Sequence, residues 1–171
     1  MSETLTRLID PIRLAERGSR ISGTVPVARL ERLVSLLADD KGEVSAELTF
    51  GRDAGGQRFV AGHAQATVWL ECQRCLEIFA FDVDVEFSLA LVGSDSEAER
   101  LSEAYEPKLV GDDLIRAADI IEDELILGLP IVPAHESACR SAHREHEGSA
   151  GEGESEETHK PFAGLADLMK S

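Results

Sequence analysis

Long apolar segments and a secretion signal are both missing from this chain of 171 residues. No stretch approaches the roughly 18 consecutive apolar residues that a membrane-spanning helix needs. Residues 1–7 also lack the basic start and apolar core of a signal peptide. We therefore expect a cytoplasmic protein without a membrane partner. The apolar fraction of 43% is still enough for the core of one compact domain.

Cysteines and recognised catalytic motifs are also scarce. The three cysteines give no disulfide framework, because their number is odd and Cys72 and Cys75 are too close for an ordinary structural bridge. The sequence has no nucleophile elbow, P-loop, dinucleotide-binding fingerprint or HExxH motif. The acids at 122–124 fall on the predicted solvated side of a helix, and His63 stands alone. We expect a protein that is not an enzyme and has no small-molecule substrate.

Positive charge is outweighed by negative charge, which gives a net charge of −16. Residues 1–81 hold 11 Asp and Glu against 10 Lys and Arg, whereas residues 82–171 hold 22 Asp and Glu against 7 Lys and Arg. RNA affinity depends on cations that displace counterions, so direct RNA contact would have to use the N-terminal half. The candidate arginines there are Arg7, Arg13, Arg17, Arg20, Arg29 and Arg32. The acidic second half favours a basic protein partner instead.

Alternating apolar and polar residues predict an antiparallel sheet with one apolar and one wet, acidic face. Strands are predicted at 20–25, 44–50, 58–71 and 81–91, with a hairpin turn at 51–57. Trp69 falls on the wet face, opposite the core-facing residues of its strand. Residues 93–103 are polar and are predicted to form a loop or a frayed helical turn.

Two helices are predicted to cover the apolar face. The first begins at Pro26 and ends in the turn 39–42, with apolar residues at helical spacing: Val27, Leu30, Val34 and Leu37. The second is capped by Asp112 or Asp113, stops at Gly128 and Pro130, and buries Leu114, Ala118, Ile121 and Leu125. Its other side is a predicted solvated stripe of Asp119, Glu122 and Asp123.

These elements predict an α+β domain over residues 1–139, in which an antiparallel sheet is covered by two helices. Residues 140–160 are poor in apolar side chains and are predicted to be a disordered acidic linker. Residues 161–171 form a short apolar segment in which Phe162, Leu165 and Met169 share one face of a predicted helix. That helix either docks on its own domain, the alternative we favour, or engages a partner.

Five segments, in order along nearly the whole chain, resemble the YceD family. They are the residues Asp10–Arg13, Leu70–Cys75, Glu103–Pro107, Asp119–His135 and Lys160–Ala166. The acidic stretch 148–157 departs from the family pattern. The resemblance implies a role in the synthesis, processing or stability of 23S ribosomal RNA, and therefore in assembly of the large ribosomal subunit.

The pair Cys72 and Cys75, separated by two residues, is the one constellation that could carry chemistry. A redox role needs a helix N-terminus or a cation beside the thiol, and this pair lies between two strands with only Arg74 nearby. A structural zinc ion needs four ligands, which Cys139 and either His135 or His143 could complete. The set Cys72, Cys75, His135 and Cys139 is our candidate site. Reduced cysteines at a hairpin tip, with Arg74 as a contact residue, remain the alternative.

The leading hypothesis is therefore a ribosome biogenesis factor that acts by binding. It would contact 23S rRNA directly through its arginines, or act as an acidic chaperone of a basic ribosomal protein. The charge distribution favours the chaperone. A thiol- or zinc-dependent enzyme is the alternative from another class.

Overall fold

The computed structural model of the chain describes residues 5–102, 104–111 and 114–135. They belong to the first of two units, Met1–Ser141, and the second unit is Ala142–Ser171. The predicted linker 140–160 and terminal segment 161–171 lie outside the described residues. Cys139 and His143 also lie outside them, as do the predicted caps Asp112 and Asp113.

Two sheets account for the strands of the described residues. The strands are β1 Leu8–Ile9, β2 Arg20–Pro26, β3 Glu43–Arg52, β4 Arg58–Glu71, β5 Ile78–Val92, β6 Glu106–Leu109 and β7 Ile115–Arg116. The main sheet has the order β2-β3-β4-β5-β6, and β1 pairs with β7. Strands β2 to β5 are antiparallel neighbours, whereas β6 runs parallel to β5. The predicted α+β architecture is confirmed, with one parallel edge strand added.

In the part of the chain that the structure describes, four α-helices accompany the sheet. They are α1 Pro11–Glu16, α2 Glu31–Val34, α3 Asp95–Ala98 and α4 Ala117–Gly128. Asp10 caps α1 by accepting a hydrogen bond from the Arg13 backbone N–H at 2.9 Å. The predicted polar turn at 93–103 is confirmed by the four-residue α3.

The core lies between the apolar sheet face and the helices. Strand β3 buries Val44, Ala46, Leu48 and Phe50, and β4 buries Ala64, Ala66, Val68 and Leu70 in the same alternation. Helix α4 adds Ile120, Ile121 and Leu125, none of which is exposed. A Cβ at Gly128 would lie 2.5 Å from Val85 Cγ1, so the glycine lets the end of α4 approach β5 closely.

The extent of each of the two predicted helices is wrong in part. Pro26 ends strand β2, and the predicted long helix after it is a 3₁₀ turn at Val27–Arg29 followed by the four-residue α2. The helix predicted to include Leu114 begins only at Ala117, because Ile115 and Arg116 pair with β1. Leu114 is therefore exposed rather than buried.

Glu122 is not part of a solvated stripe, and this prediction was also wrong. Its side chain is only 6% exposed, and it accepts hydrogen bonds from the backbone N–H groups of Arg32 and Leu33 at 2.8 and 3.1 Å. The Arg32 guanidinium pairs with its second carboxylate oxygen at 2.8 Å. Glu122 thus ties α4 to the first turn of α2, since those N–H groups have no partner within the helix.

Candidate metal centre and acidic sheet face

A tight turn between β4 and β5 presents the cysteine pair. The Leu76 N–H donates to the Cys72 carbonyl at 2.8 Å, and the Cys72 N–H donates to the Glu77 carbonyl at 2.9 Å. Leu76 has a φ of 62°, in the left-handed region that non-glycine residues rarely adopt. The chain therefore reverses sharply here. We call residues 72–77 the cysteine turn.

Residues 133–135, which follow α4, lie against the cysteine turn. The Gln73 N–H donates to the Pro133 carbonyl at 2.9 Å, and Arg74 Nη2 donates to the His135 carbonyl at 2.6 Å. The rings of Phe79 and His135 pack with their centroids 4.8 Å apart. Arg74 therefore positions His135 in the structure, and the two segments form one site although about 60 residues separate them in sequence.

Three of the four predicted metal ligands meet at this site. The Sγ atoms of Cys72 and Cys75 and a ring nitrogen of His135 all lie within 4.8 Å of one another. The distance from Cys75 Sγ to His135 Nδ1 is 3.5 Å. A tetrahedral zinc ion with ordinary Zn–S and Zn–N bonds places a sulfur and a nitrogen about 3.6 Å apart, so these residues fit the ion. The predicted fourth ligand, Cys139, follows His135 by four residues and lies outside the described residues.

The environment of Cys72 favours the thiolate. Burial of the side chain raises its pKa, but the backbone N–H groups of Arg74, His135 and Cys75, with the Cys75 side chain, lower the pKa to about 5. This stabilisation could not be predicted from the sequence, because it comes from backbone N–H groups of the turn and of His135 rather than from a helix N-terminus or a nearby cation. A thiolate is the form that binds metal.

The open face of the main sheet is strongly acidic. It carries six exposed carboxylates: Glu43, Glu47, Glu71, Asp82, Asp84 and Glu86. The cross-strand register aligns Glu47 with His63 and His63 with Glu86. Arg20 pairs with Glu47 at 3.3 Å. His63 contacts Asp84 at 2.6 Å, so the prediction that His63 stands alone was wrong. Trp69 also lies on this face and is 38% exposed, as predicted.

The candidate arginines are divided between structural and exposed positions. Arg20 pairs with Glu47, and Arg32 with Glu122 and Asp123, which leaves both less suited to RNA than the sequence predicted. Arg13 and Arg17 lie four residues apart on exposed positions of α1 and its C-cap. Within the described part of the chain, Arg13, Arg17 and Arg29 form no ion pair.

The fold and site define a small α+β protein with a preformed cysteine–histidine cluster at one end of an acidic sheet. The family described as "Large ribosomal RNA subunit accumulation protein YceD" matches residues 60–169, a region that contains all four predicted ligands. A relative of that name from Haemophilus influenzae is 34% identical over 167 residues, which cover 95% of this chain and 94% of the relative. The chain belongs to the YceD family.

No solved structure is similar to this chain at a significant level. Among the helices of residues 5–102, 104–111 and 114–135, none has the length and apolarity that a membrane crossing requires.

Proposed function

We propose that this protein supports the synthesis, processing or stability of 23S ribosomal RNA during assembly of the large ribosomal subunit, and that it acts by binding. Membership of the YceD family carries this proposal. The family description and the name of the Haemophilus influenzae relative both refer to accumulation of the large ribosomal RNA subunit. Pre-ribosomal particles of the large subunit are therefore its proposed partners.

A basic ribosomal protein is the direct partner that the open sheet face favours. This face holds six carboxylates, and among its described residues Arg20 and His63 already contact Glu47 and Asp84. Such a surface repels phosphates and attracts Lys- and Arg-rich segments. As an acidic chaperone, the protein would shield a basic ribosomal protein until it joins the assembling subunit.

Direct contact with rRNA is the second candidate, and one observation favours it. Arg13 is exposed on α1 and Arg17 is exposed at its C-cap, and neither they nor Arg29 form an ion pair within the described residues. These side chains are therefore available to phosphates. In this alternative the acidic sheet would face away from the RNA.

We also propose a structural zinc ion held by Cys72, Cys75 and His135, with Cys139 as the fourth ligand. The fit of the three described donor atoms supports it, as does the lowered pKa of Cys72. Bound there, zinc would link the segment after α4 to the cysteine turn. The thiols Cys72 and Cys75 are not disulfide-bonded, in keeping with the reducing cytoplasm that we propose as its location.

A thiol- or zinc-dependent enzyme is the remaining alternative, and the same cysteines distinguish it. If the protein is such an enzyme, Cys75→Ser should abolish a measurable turnover while the fold persists. A structural zinc ion predicts that Cys75→Ser lowers thermal stability and releases the bound metal.

The proposed function is tested by complementation of a strain that lacks the gene. The test variant removes three of the six carboxylates of the open sheet face, with Asp82→Asn, Asp84→Asn and Glu86→Gln. The matched control removes the same charge from exposed residues of α3 and its C-cap, with Asp95→Asn, Glu97→Gln and Glu99→Gln. We expect the wild type and the control to restore the ratio of 23S to 16S rRNA, and the sheet variant to fail. Full restoration by the sheet variant would refute the role of this face, and no effect of the wild-type gene would refute the function.

A further inference from the structure

Trp69 is exposed on the open sheet face, at the end next to the cysteine turn. Its side chain is 38% exposed, and its cross-strand partner on β5 is Ala80, a short residue that leaves the indole open on that side. Ile78, two residues before Ala80, is 56% exposed on the same face. Neither of the two ring pairs that the described residues form includes Trp69. We call Trp69, Ile78 and Ala80 the Trp69 patch. Large apolar side chains grouped on a surface typically mark an interaction site.

The pairing of the strands places carboxylates beside the Trp69 patch. Asp82 pairs with Thr67, which lies two positions before Trp69 on the same face, so Asp82 is a diagonal cross-strand neighbour of the indole. Glu71 pairs with Ile78 and lies two positions after Trp69. The Thr67 hydroxyl donates to Asp82 Oδ1 at 2.6 Å, which orients this carboxylate. A carboxylate has further lone pairs with which to accept hydrogen bonds from a partner.

An acidic depression continues from the patch along the same face. Its volume is about 400 Å³, and its walls include Glu43, Thr67, Asp82 and Asp84. None of the described residues that line it is cationic. Thr67 and Asp82 thus border both the depression and the Trp69 patch. The two features form one continuous surface that is apolar at one end and attracts cations along its length.

An exposed indole bordered by carboxylates favours an arginine as its ligand. The guanidinium is planar, so it can stack on an aromatic face and donate to a carboxylate at the same time, whereas an ammonium is a compact, strongly hydrated point charge. A nucleic-acid base could also stack on Trp69, but its phosphates would then lie among Glu71, Asp82 and Asp84 and be repelled. A second copy of this chain would bring a further −16 against the existing −16.

We propose that Trp69 anchors an arginine side chain of the basic protein partner. The guanidinium stacks on the indole and pairs with Asp82, while the apolar stem of the arginine packs against Ile78. Neighbouring cations of the same segment enter the acidic depression. This inference rests on the proposed function, and it adds one specific contact to a sheet face whose attraction is otherwise electrostatic alone.

Fluorescence of the full-length chain tests the anchor, because Trp69 is the only tryptophan in the sequence. The probes are an oligoarginine peptide and an oligolysine peptide of equal length, which carry the same charge. At physiological salt we expect the arginine peptide to change the emission of Trp69 and to bind more tightly than the lysine peptide. Anisotropy of labelled peptides gives the affinities of variants that lack the indole.

Two variants and a control separate stacking from charge. Trp69→Leu keeps an apolar side chain but removes the aromatic face, and it should weaken binding of the arginine peptide by about fivefold or more. Asp82→Asn keeps the indole and should weaken binding of the same peptide by about threefold. The control Leu114→Ser changes an apolar residue that is 55% exposed outside the main sheet, and it should bind like the wild type. Circular dichroism checks that each variant folds, and the emission of the wild type decides if Trp69→Leu does not.

Four results would overturn the inference. Arginine-peptide binding that leaves the emission unchanged would place the peptide elsewhere on the chain. Equal affinity of the two peptides, unaltered by Trp69→Leu, would show binding by charge alone. A 23S rRNA fragment that changes the emission at a lower concentration than the arginine peptide would assign Trp69 to base stacking. A dimer in light scattering that Trp69→Leu disrupts would assign the patch to a second copy. The titration is independent of complementation, so failure of the anchor and failure of the proposed function are separable.

Discussion

Replacing Glu122 tests how α2 and α4 are held together. One carboxylate oxygen accepts from the Arg32 and Leu33 backbone N–H groups at 2.8 and 3.1 Å, and the other from Arg32 Nε and Nη2 at 3.0 and 2.8 Å. The Glu122 side chain is 6% exposed, whereas that of Arg32 is 53% exposed. The substitution Glu122→Ala therefore removes four hydrogen bonds and leaves the buried Leu33 N–H without this acceptor.

The expected loss of stability follows from the difference in exposure between Glu122 and Arg32. Removing one partner of a fully buried ion pair costs about 3–5 kcal/mol. Because Arg32 can regain water, we take the lower end and expect Glu122→Ala to lose about 3 kcal/mol of unfolding free energy. Glu122→Gln keeps an oxygen for the two N–H groups and should lose about 1–2 kcal/mol. The control Glu47→Ala breaks an exposed pair with Arg20 and should change stability by less than about 1 kcal/mol.

Urea unfolding monitored by circular dichroism measures these differences, provided that the slope with denaturant is the same for each variant. If Glu122→Ala were no less stable than Glu47→Ala, the assignment of Glu122 as the buried link between the two helices would be wrong.

Three other changes test separate parts of the structure. Gly128→Ala would place a Cβ 2.5 Å from Val85 Cγ1 and should lower the unfolding free energy by about 1–3 kcal/mol. At Gly93 the nearest atom to an added Cβ is 3.7 Å away, so Gly93→Ala should leave the unfolding free energy unchanged. Urea titration checks both variants. Burial raises the pKa of Asp123, but Lys108 and Arg32 lower it more, so the pKa is below its ordinary value in the folded protein. The stability that this carboxylate contributes is therefore present above the unfolded pKa of about 3.9 and is lost as the pH falls below it. The destabilisation caused by Lys108→Met should therefore be larger at neutral pH than in acid unfolding experiments. Elemental analysis of the protein purified without chelator should find about one zinc ion per molecule in the wild type and none in Cys72→Ser. Chelation should lower the thermal unfolding midpoint of the wild type. A wild-type protein that keeps its unfolding midpoint after the metal is removed would contradict a structural zinc ion.

The strands could be predicted from the sequence because their pattern is local. Alternation in Val44–Phe50 and Ala64–Leu70 reports one buried face, and these residues are buried as expected. The helices were less predictable because contacts distant in sequence decide their ends. Leu30 is not helical, and the helical turn after it is capped by Glu122, which lies 90 residues from Arg32. Periodicity within one segment cannot reveal such a cap.

The candidate site was predictable only where its signal is local in sequence. The two-residue spacing of Cys72 and Cys75 marked the site, and His135 was proposed as a ligand because it precedes Cys139 by four residues, with His143 as the alternative four residues after it. The hydrogen bonds that place His135 there join segments about 60 residues apart and involve backbone groups of Gln73 and Pro133, which carry no side-chain signal. The proximity of Glu122 to Arg32 was missed similarly, since a buried carboxylate and one on a solvated helix face look alike in sequence.

The most direct test of the account is a salt-dependent titration of the purified full-length chain against two ligands. One is a purified basic protein of the large ribosomal subunit, and the other is a naked fragment of 23S rRNA. We predict that the basic protein binds at physiological salt, that the Asp82→Asn, Asp84→Asn, Glu86→Gln variant binds it about tenfold more weakly, and that rRNA does not bind. Firm rRNA binding that Arg13→Ala and Arg17→Ala abolish and the sheet variant retains would contradict the account.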